Sequence, residues 1–310
     1  MFPIESEFVE ANGLHFHVET CGASDSKRLA ICLHGFPELG YSWRKQLPGL
    51  AELGYRVWAP DLRGYGKTER PARMSDYALE ILMEDVAQLI DASGATSVLL
   101  LAHDWGAIIA WLFATREIRR LDGLVIMNVP HPAVISEQPR NFRQLRRSWY
   151  IFFFQIPWLP EFLLGLGRAR AIGSVFVDNA VNKARFPREV LSVYRRAATK
   201  PGALRSMVNY YRALVRGGGM RRQKALGFPR IATPTLMIWG EQDFALGKEL
   251  TFGTEEYVQD LTLRYVPKAS HWVQQDDPET VNAMLRAWLL GESIPHADGA
   301  GCESHAPPND

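Results

Sequence analysis

The 310-residue sequence predicts an α/β fold in which a doubly wound, mostly parallel sheet is interrupted by a helical insertion. Three observations carry that reading. Short apolar runs alternate with helix-periodic stretches along most of the chain. The alternation stops between about Pro130 and Phe228, where aromatic and arginine-rich helical segments appear without a convincing parallel strand. At 97–111 an apolar run passes abruptly into a helical pattern, SVLLLAHDWGAIIAW.

Taken in order, EFVEAN (7–12) and LHFHVET (14–20) flank Asn12-Gly13, a two-residue turn signal, and read as an antiparallel hairpin. RLAICLH (28–34), YRVWAP (55–60), SVLLLA (97–102), LVIMN (124–128), TLMIWG (235–240) and LTLRYV (261–266) are continuous in apolar character. Parallel strands covered by helices on both faces require that continuity. Helical spacing marks YSWRKQLPGLAEL (41–53), YALEILMEDVAQLIDAS (77–93), WGAIIAWLFATR (105–116) and PETVNAMLRAWLL (278–290). The last of these opens on Pro278, a first-turn proline. The chain therefore divides into a core of 1–130 and 228–291, a helical cap or lid of 131–227 inserted after the sixth strand, and a Gly-, Pro- and Asp-rich tail from 292 to 310 expected to be disordered. Gly217-Gly218-Gly219 belongs to the return path; without a preceding strand or a following Lys-Ser/Thr it is not a phosphate loop.

Composition narrows the partners. Lys+Arg 35 against Asp+Glu 34 leaves a formal charge of +1, so no global field points to nucleic acid. Cys21, Cys32 and Cys302 form neither a C-x-x-C pair nor a Cys/His cluster, so no metal or disulfide framework is expected and a reducing compartment is. The first residues lack a basic start and a continuous apolar stretch, which gives a cytoplasmic expectation. WYIFFFQIPWLPEFLLGLG (149–167) imitates a membrane span, but Gln155, Pro157, Pro160 and Glu161 interrupt it. A span wants about 20 apolar residues, so no integral span is expected and the stretch reads as buried and pocket-lining. RNFRQLRRS, just before it, reads as a solvated helix face, with contact to anionic lipid as the alternative.

The chemistry centres on Asp104. A carboxylate at the end of a buried strand must be paired, hydrogen-bonded or used, because removing it from water is costly. Ala102 and Gly106 stand two positions to either side, the small flanks that a strained strand-to-helix elbow requires. A serine at an elbow needs a base, whereas a carboxylate of pKa about 3.9 is already anionic. Its natural electrophile is an sp3 carbon bearing a leaving group, and the product is an ester that water must cleave. His271, in KASHWVQQDDPE after the last strand, is placed to be the base for water, and Asp243, in WGEQDFAL after the seventh, to orient it. The order nucleophile, acid, histidine is that of α/β-hydrolases. The backbone N–H groups of Phe36 and Trp105 are the expected oxyanion donors. His34 and His103 are expected to brace loops, and His15 and His17 have no assigned role.

Over roughly residues 5–290 the sequence resembles the epoxide hydrolases of the α/β-hydrolase fold. The motifs are HGFPE (34–38), DLRGYGKTE (61–69), HDWGA (103–107), WYIFFFQ (149–155), NYYR (209–212) and SHWVQQDDP (270–278). The resemblance implies an eight-stranded, mostly parallel sheet with helices on both faces and an inserted helical cap domain. It implies hydrolysis of a small apolar epoxide to a vicinal diol, with no cofactor or metal. It also implies that two cap tyrosines, Tyr150 and Tyr211 by position, hold and protonate the epoxide oxygen, with Tyr210 the neighbouring register. Tyrosine, of pKa about 10, keeps its proton at neutral pH yet can give it to a forming alkoxide. Phe36, Trp43, Trp105, Trp149 and Phe153 are the candidate substrate-binding residues, and a monomer or homodimer is expected.

Two other functions compete. A dehalogenase shares the aspartate elbow, but haloalkane dehalogenases tend to carry Asn where this chain has Phe36, and fluoroacetate dehalogenases an arginine where it has Trp105. A binding module on a hydrolase scaffold would not need Asp104, Asp243 and His271 together.

Overall fold

The computed structural model describes residues 2–137 and 142–297. Eight strands form one sheet: β1 (Glu5–Ala11), β2 (Leu14–Cys21), β3 (Arg28–Leu33), β4 (Arg56–Pro60), β5 (Ser97–His103), β6 (Gly123–Met127), β7 (Thr235–Gly240) and β8 (Leu261–Val266), in the order β1-β2-β4-β3-β5-β6-β7-β8. β1 and β2 are the expected hairpin, closed by Asn12 and Gly13, both at positive φ. β2 runs antiparallel to β4, and every later pairing is parallel. β8 departs from the expectation of burial on both faces: only Val266 is fully covered, because β8 is the sheet's edge.

The strand period sorts side chains between two cores. Val98, Leu100 and Ala102 of β5 point into one hydrophobic cluster, Leu99 and Leu101 into the other. The first cluster meets α2 (Leu79–Ser93) and α3 (Trp105–Thr115); the second meets α1 (Leu47–Glu52) and α12 (Pro278–Leu290). Three of these helices match their sequence signals closely; α12 also gains a cap, Asp277 accepting the Thr280 N–H at 3.2 Å. The pattern at 41–53 instead splits into a 3₁₀ turn, Gly40–Trp43, and the short α1, whose first turn contains Pro48.

Seven helices lie between β6 and β7 among the described residues: α4 (Pro132–Glu137), α5 (Phe142–Arg147), α6 (Trp149–Phe153), α7 (Leu159–Asn179), α8 (Arg188–Ala198), α9 (Ala203–Arg216) and α10 (Gly219–Ala225). α7 is interrupted by non-helical backbone at Leu166–Ala169. The short α11 (Val273–Asp276) follows β8. Hydrogen bonds seat this insertion on the sheet ends: Tyr210 Oη donates to Arg63 O at 2.8 Å, Tyr77 Oη to Ser206 Oγ at 2.8 Å and Tyr194 Oη to Gln275 Oε1 at 2.9 Å.

The apolar stretch 149–167 is not buried as a whole. Phe154 and Pro160 are covered, but Trp149, Phe152, Ile156, Trp158, Leu159, Phe162, Leu163 and Leu166 are exposed. The short α6 and the part of α7 before its break at Leu166, joined at Phe154–Trp158, cannot turn a stretch apolar on every side toward one core. Among the described residues no helix is long and apolar enough to cross a membrane. Of the tail, 292–297 has neither helix nor strand, yet Ile294 and Ala297 pack on the second core; 298–310 lies outside the described residues.

Candidate active site

Asp104 joins β5 to α3 with φ 49° and ψ −120°, a backbone state that non-glycine residues adopt at an energetic cost. Its neighbours explain the small residues around it. A Cβ on Gly106 would collide with Leu33 O, and one on Gly35 would collide with the Asp104 carboxylate itself. Gly35 therefore lets the β3 loop approach closely enough for Phe36 N–H to donate to Asp104 Oδ1 at 2.6 Å.

His271, carried past the end of β8, faces the other carboxylate oxygen, with Nε2 3.5 Å from Asp104 Oδ2. On its far side Nδ1 lies 2.7 Å from Asp243 Oδ2. Burial opposes a charge on His271, but Asp243 and Asp104 flank the ring and outweigh it, raising the pKa to about 10. Burial likewise raises the Asp104 pKa in isolation, yet the His271 hydrogen bond and charge, His103 and the Phe36 N–H together bring it below the ordinary carboxylate value. At neutral pH the resting site thus holds an imidazolium between two carboxylates.

Tyr150, half-buried on α6, and Tyr211, buried on α9, share a cavity of about 430 Å³ with Asp104 and His271. Their rings meet edge to face at 5.8 Å. Burial, reinforced by the nearby Asp104 charge, pushes both phenols well above the usual tyrosine value, so both carry protons at neutral pH. Tyr210 is committed elsewhere, its hydroxyl held by Arg63 O. Phe36, Trp149 and Phe153 line the same cavity.

Two expected pocket residues do not line it. Trp43 is wholly buried in the second core, because the 3₁₀ turn that carries it packs beneath the sheet rather than over its ends. Trp105 is buried behind Tyr211, ring against ring at 5.0 Å and 89°, so it supports a cavity wall without forming it. Of the two expected oxyanion donors, the Phe36 N–H bonds the Asp104 carboxylate, whereas among the described residues the Trp105 N–H has no hydrogen bond to it.

Several residues that sequence reasoning did not single out hold the site in place. Asn128, after β6 at φ 50°, donates to Asp243 Oδ2 at 2.9 Å and accepts the Gly240 N–H at 2.9 Å. Asp243 Oδ1 accepts the Ala245 and Leu246 N–H groups. Glu38, fully buried, lies 2.7 Å from His103 Nδ1, while His103 Nε2 lies 2.8 Å from His271 O. Gln274 and Gln275 donate to the same Glu38 carboxylate. A lone Asn at a strand end carries no signal of its own, but Glu38 in HGFPE and Gln274-Gln275 in SHWVQQDDP sit within motifs already marked for chemistry. His34 does brace a loop: Nε2 accepts the Leu62 N–H at 2.9 Å and Nδ1 donates to Gly35 O at 2.9 Å.

Sheet order, elbow and acid–histidine pair together define an α/β hydrolase, and residues 31–278 match the family model described as alpha/beta hydrolase fold. The chain is 36% identical over 291 residues to epoxide hydrolase 4 of Mus musculus, covering 92% of this chain and 79% of that protein. It is equally 36% identical over 293 residues to epoxide hydrolase 3 of Xenopus tropicalis, covering 92% and 77%. Among solved structures, the Bacillus megaterium epoxide hydrolase in complex with an inhibitor superposes with a TM-score of 0.83 at 29% identity, covering 92% of this chain and 100% of that one. The chain belongs to the epoxide hydrolase family of α/β hydrolases.

Proposed function

We propose that the protein hydrolyses an apolar epoxide to a vicinal diol through a covalent ester on Asp104. The observation that carries this reading is one cavity shared by a carboxylate from the sheet and two protonated tyrosines from the insertion. Asp104 Oδ2 attacks an epoxide carbon, the ring C–O bond breaks, and the leaving oxygen takes a proton from Tyr150 or Tyr211. Oδ1 keeps the Phe36 N–H, which then stabilises the oxyanion formed when water adds to the ester carbon.

Electrostatics orders the two steps. Alkylation cancels the Asp104 charge, one of the two carboxylates that hold the His271 proton, so the imidazolium becomes more acidic as the ester forms. The imidazolium proton passes to the tyrosinate that ring opening leaves, and neutral His271, steadied by Asp243, then accepts a proton from the attacking water; collapse of the tetrahedral species hands the remaining hydroxyl proton to the departing alkoxide, releasing the diol and restoring the carboxylate.

The test offers aryl, alicyclic and terminal epoxides, haloalkanes and fluoroacetate to the protein, to Asp104→Ala and to His271→Gln. Diol formation should vanish with Asp104→Ala, and His271→Gln should gain the mass of one substrate in intact mass spectrometry. Diol production surviving Asp104→Ala would overturn the reading. Halide release without diol would transfer the same ester chemistry to dehalogenation.

A further inference from the structure

Beside the cavity, the segment from Trp149 to Leu166 presents more apolar surface to solvent than a self-contained fold requires. Trp158 is 83% exposed, Phe162 64%, Trp149 62% and Phe152 61%. In α7 the exposed Leu159, Phe162, Leu163 and Leu166 follow i, i+3, i+4 and i+7 spacing, so its apolar stripe points away from the protein. Contiguous exposed apolar surface of this kind marks an interaction site.

The charges around it are mainly positive. From Arg146 to Val177 the sequence holds four arginines, Arg146, Arg147, Arg168 and Arg170, and a single acid, Glu161. Glu161 is neutralised from within by Arg212, whose Nη1 lies 2.5 Å from Oε1. Arg146, Arg168 and Arg170 are exposed. The patch is also continuous with the cavity, whose lining includes Arg146, Arg147, Trp149, Phe153 and Leu164.

We propose that α6 and the first half of α7 dock the protein onto an anionic lipid bilayer, with the cavity opening toward the lipid. Tryptophan and phenylalanine between exposed arginines are the composition of a helix lying in a bilayer interface, apolar side chains among the acyl chains and guanidinium groups at the phosphates. A second copy fits less well, because a two-fold contact through this patch would bring the same exposed arginines together while its acid, Glu161, is already paired with Arg212. Docking would give an apolar epoxide dissolved in the membrane a path to Asp104 that avoids water; this part rests on the proposed hydrolysis.

Vesicle sedimentation with the full chain, without substrate, tests docking independently of the reaction. The protein should pellet with phosphatidylcholine vesicles containing phosphatidylglycerol, pellet less with phosphatidylcholine alone, and be released by high salt. Phe162→Ser with Leu163→Ser, and separately Arg168→Glu with Arg170→Glu, should each weaken binding by roughly tenfold or more. Hydrolysis of a small, water-soluble epoxide by both variants should stay at the unsubstituted level, which shows that they fold. Protein left in the supernatant with both vesicle types would overturn the proposal, as would variants that bind undiminished. A dimer in sedimentation velocity that Phe162→Ser with Leu163→Ser dissolves, without vesicle binding, would assign the patch to a second copy instead.

Discussion

His271 carries the largest electrostatic consequence of any single side chain in the site, because it stands between two carboxylates in a buried place. Removing the Asp104 charge with Asp104→Asn should lower the His271 pKa from about 10 by at least one unit, read from imidazole chemical shifts across a pH titration. The sign carries over to stability. A histidine whose folded pKa lies above its unfolded value of about 6.5 stabilises fully below that value and loses the contribution as pH rises toward 10, so unsubstituted protein should lose more stability than Asp104→Asn between those limits. The adjacent tyrosines separate cleanly in the same way. Tyr211→Phe, facing the cavity, should reduce kcat at least tenfold, as loss of a general acid does. Tyr210→Phe should cost about 1 kcal/mol in urea unfolding, through its bond to Arg63 O, and leave kcat within about twofold.

At the scale of elements, α9 holds the 154–161 segment chiefly through Arg212, with a Gln155 hydrogen bond to Tyr211 O and an Arg216 hydrogen bond to Gln155 O beside it. Arg212 donates to Phe154 O at 3.0 Å and to Ile156 O at 2.8 Å, and pairs with Glu161, so it holds the turn after α6 that places Tyr150. Arg212→Met should destabilise the protein by about 3 kcal/mol in urea unfolding and lower kcat with it, because it strands a partly buried Glu161 and frees that turn. How far such elements are legible in sequence depends on how their burial is decided. Strands covered on both faces, and helices with a cap and a glycine stop such as α12, announce themselves locally. The elbow at Asp104 is legible because its Gly106 flank would collide with Leu33 if it grew. Trp43 is not, since an aromatic near a catalytic loop gives no sign of which face of the sheet receives it, and the 149–166 stretch misleads because apolarity predicts burial without saying against what. Asn128 escapes because its role exists only once β6 and β7 lie side by side.

Across the whole molecule, the two cores are stabilised from different parts of the chain. The second receives Ile294 and Ala297 from beyond the last helix, so a chain ending at Gly291 should unfold at a urea midpoint lower by an equivalent of about 1–2 kcal/mol while keeping its kcat, the site lying at the far ends of the strands. Asp104 and His271 hang from strands, whereas Tyr150 and Tyr211 belong to the segment between β6 and β7. Hybrids that exchange this segment between relatives would therefore trade half of the proposed reaction along with the shape of the pocket. A graft chosen to widen substrate range must bring its own matched phenols, aligned to a foreign carboxylate within the tolerance of a bond-making step, or it will bind broadly and turn over nothing.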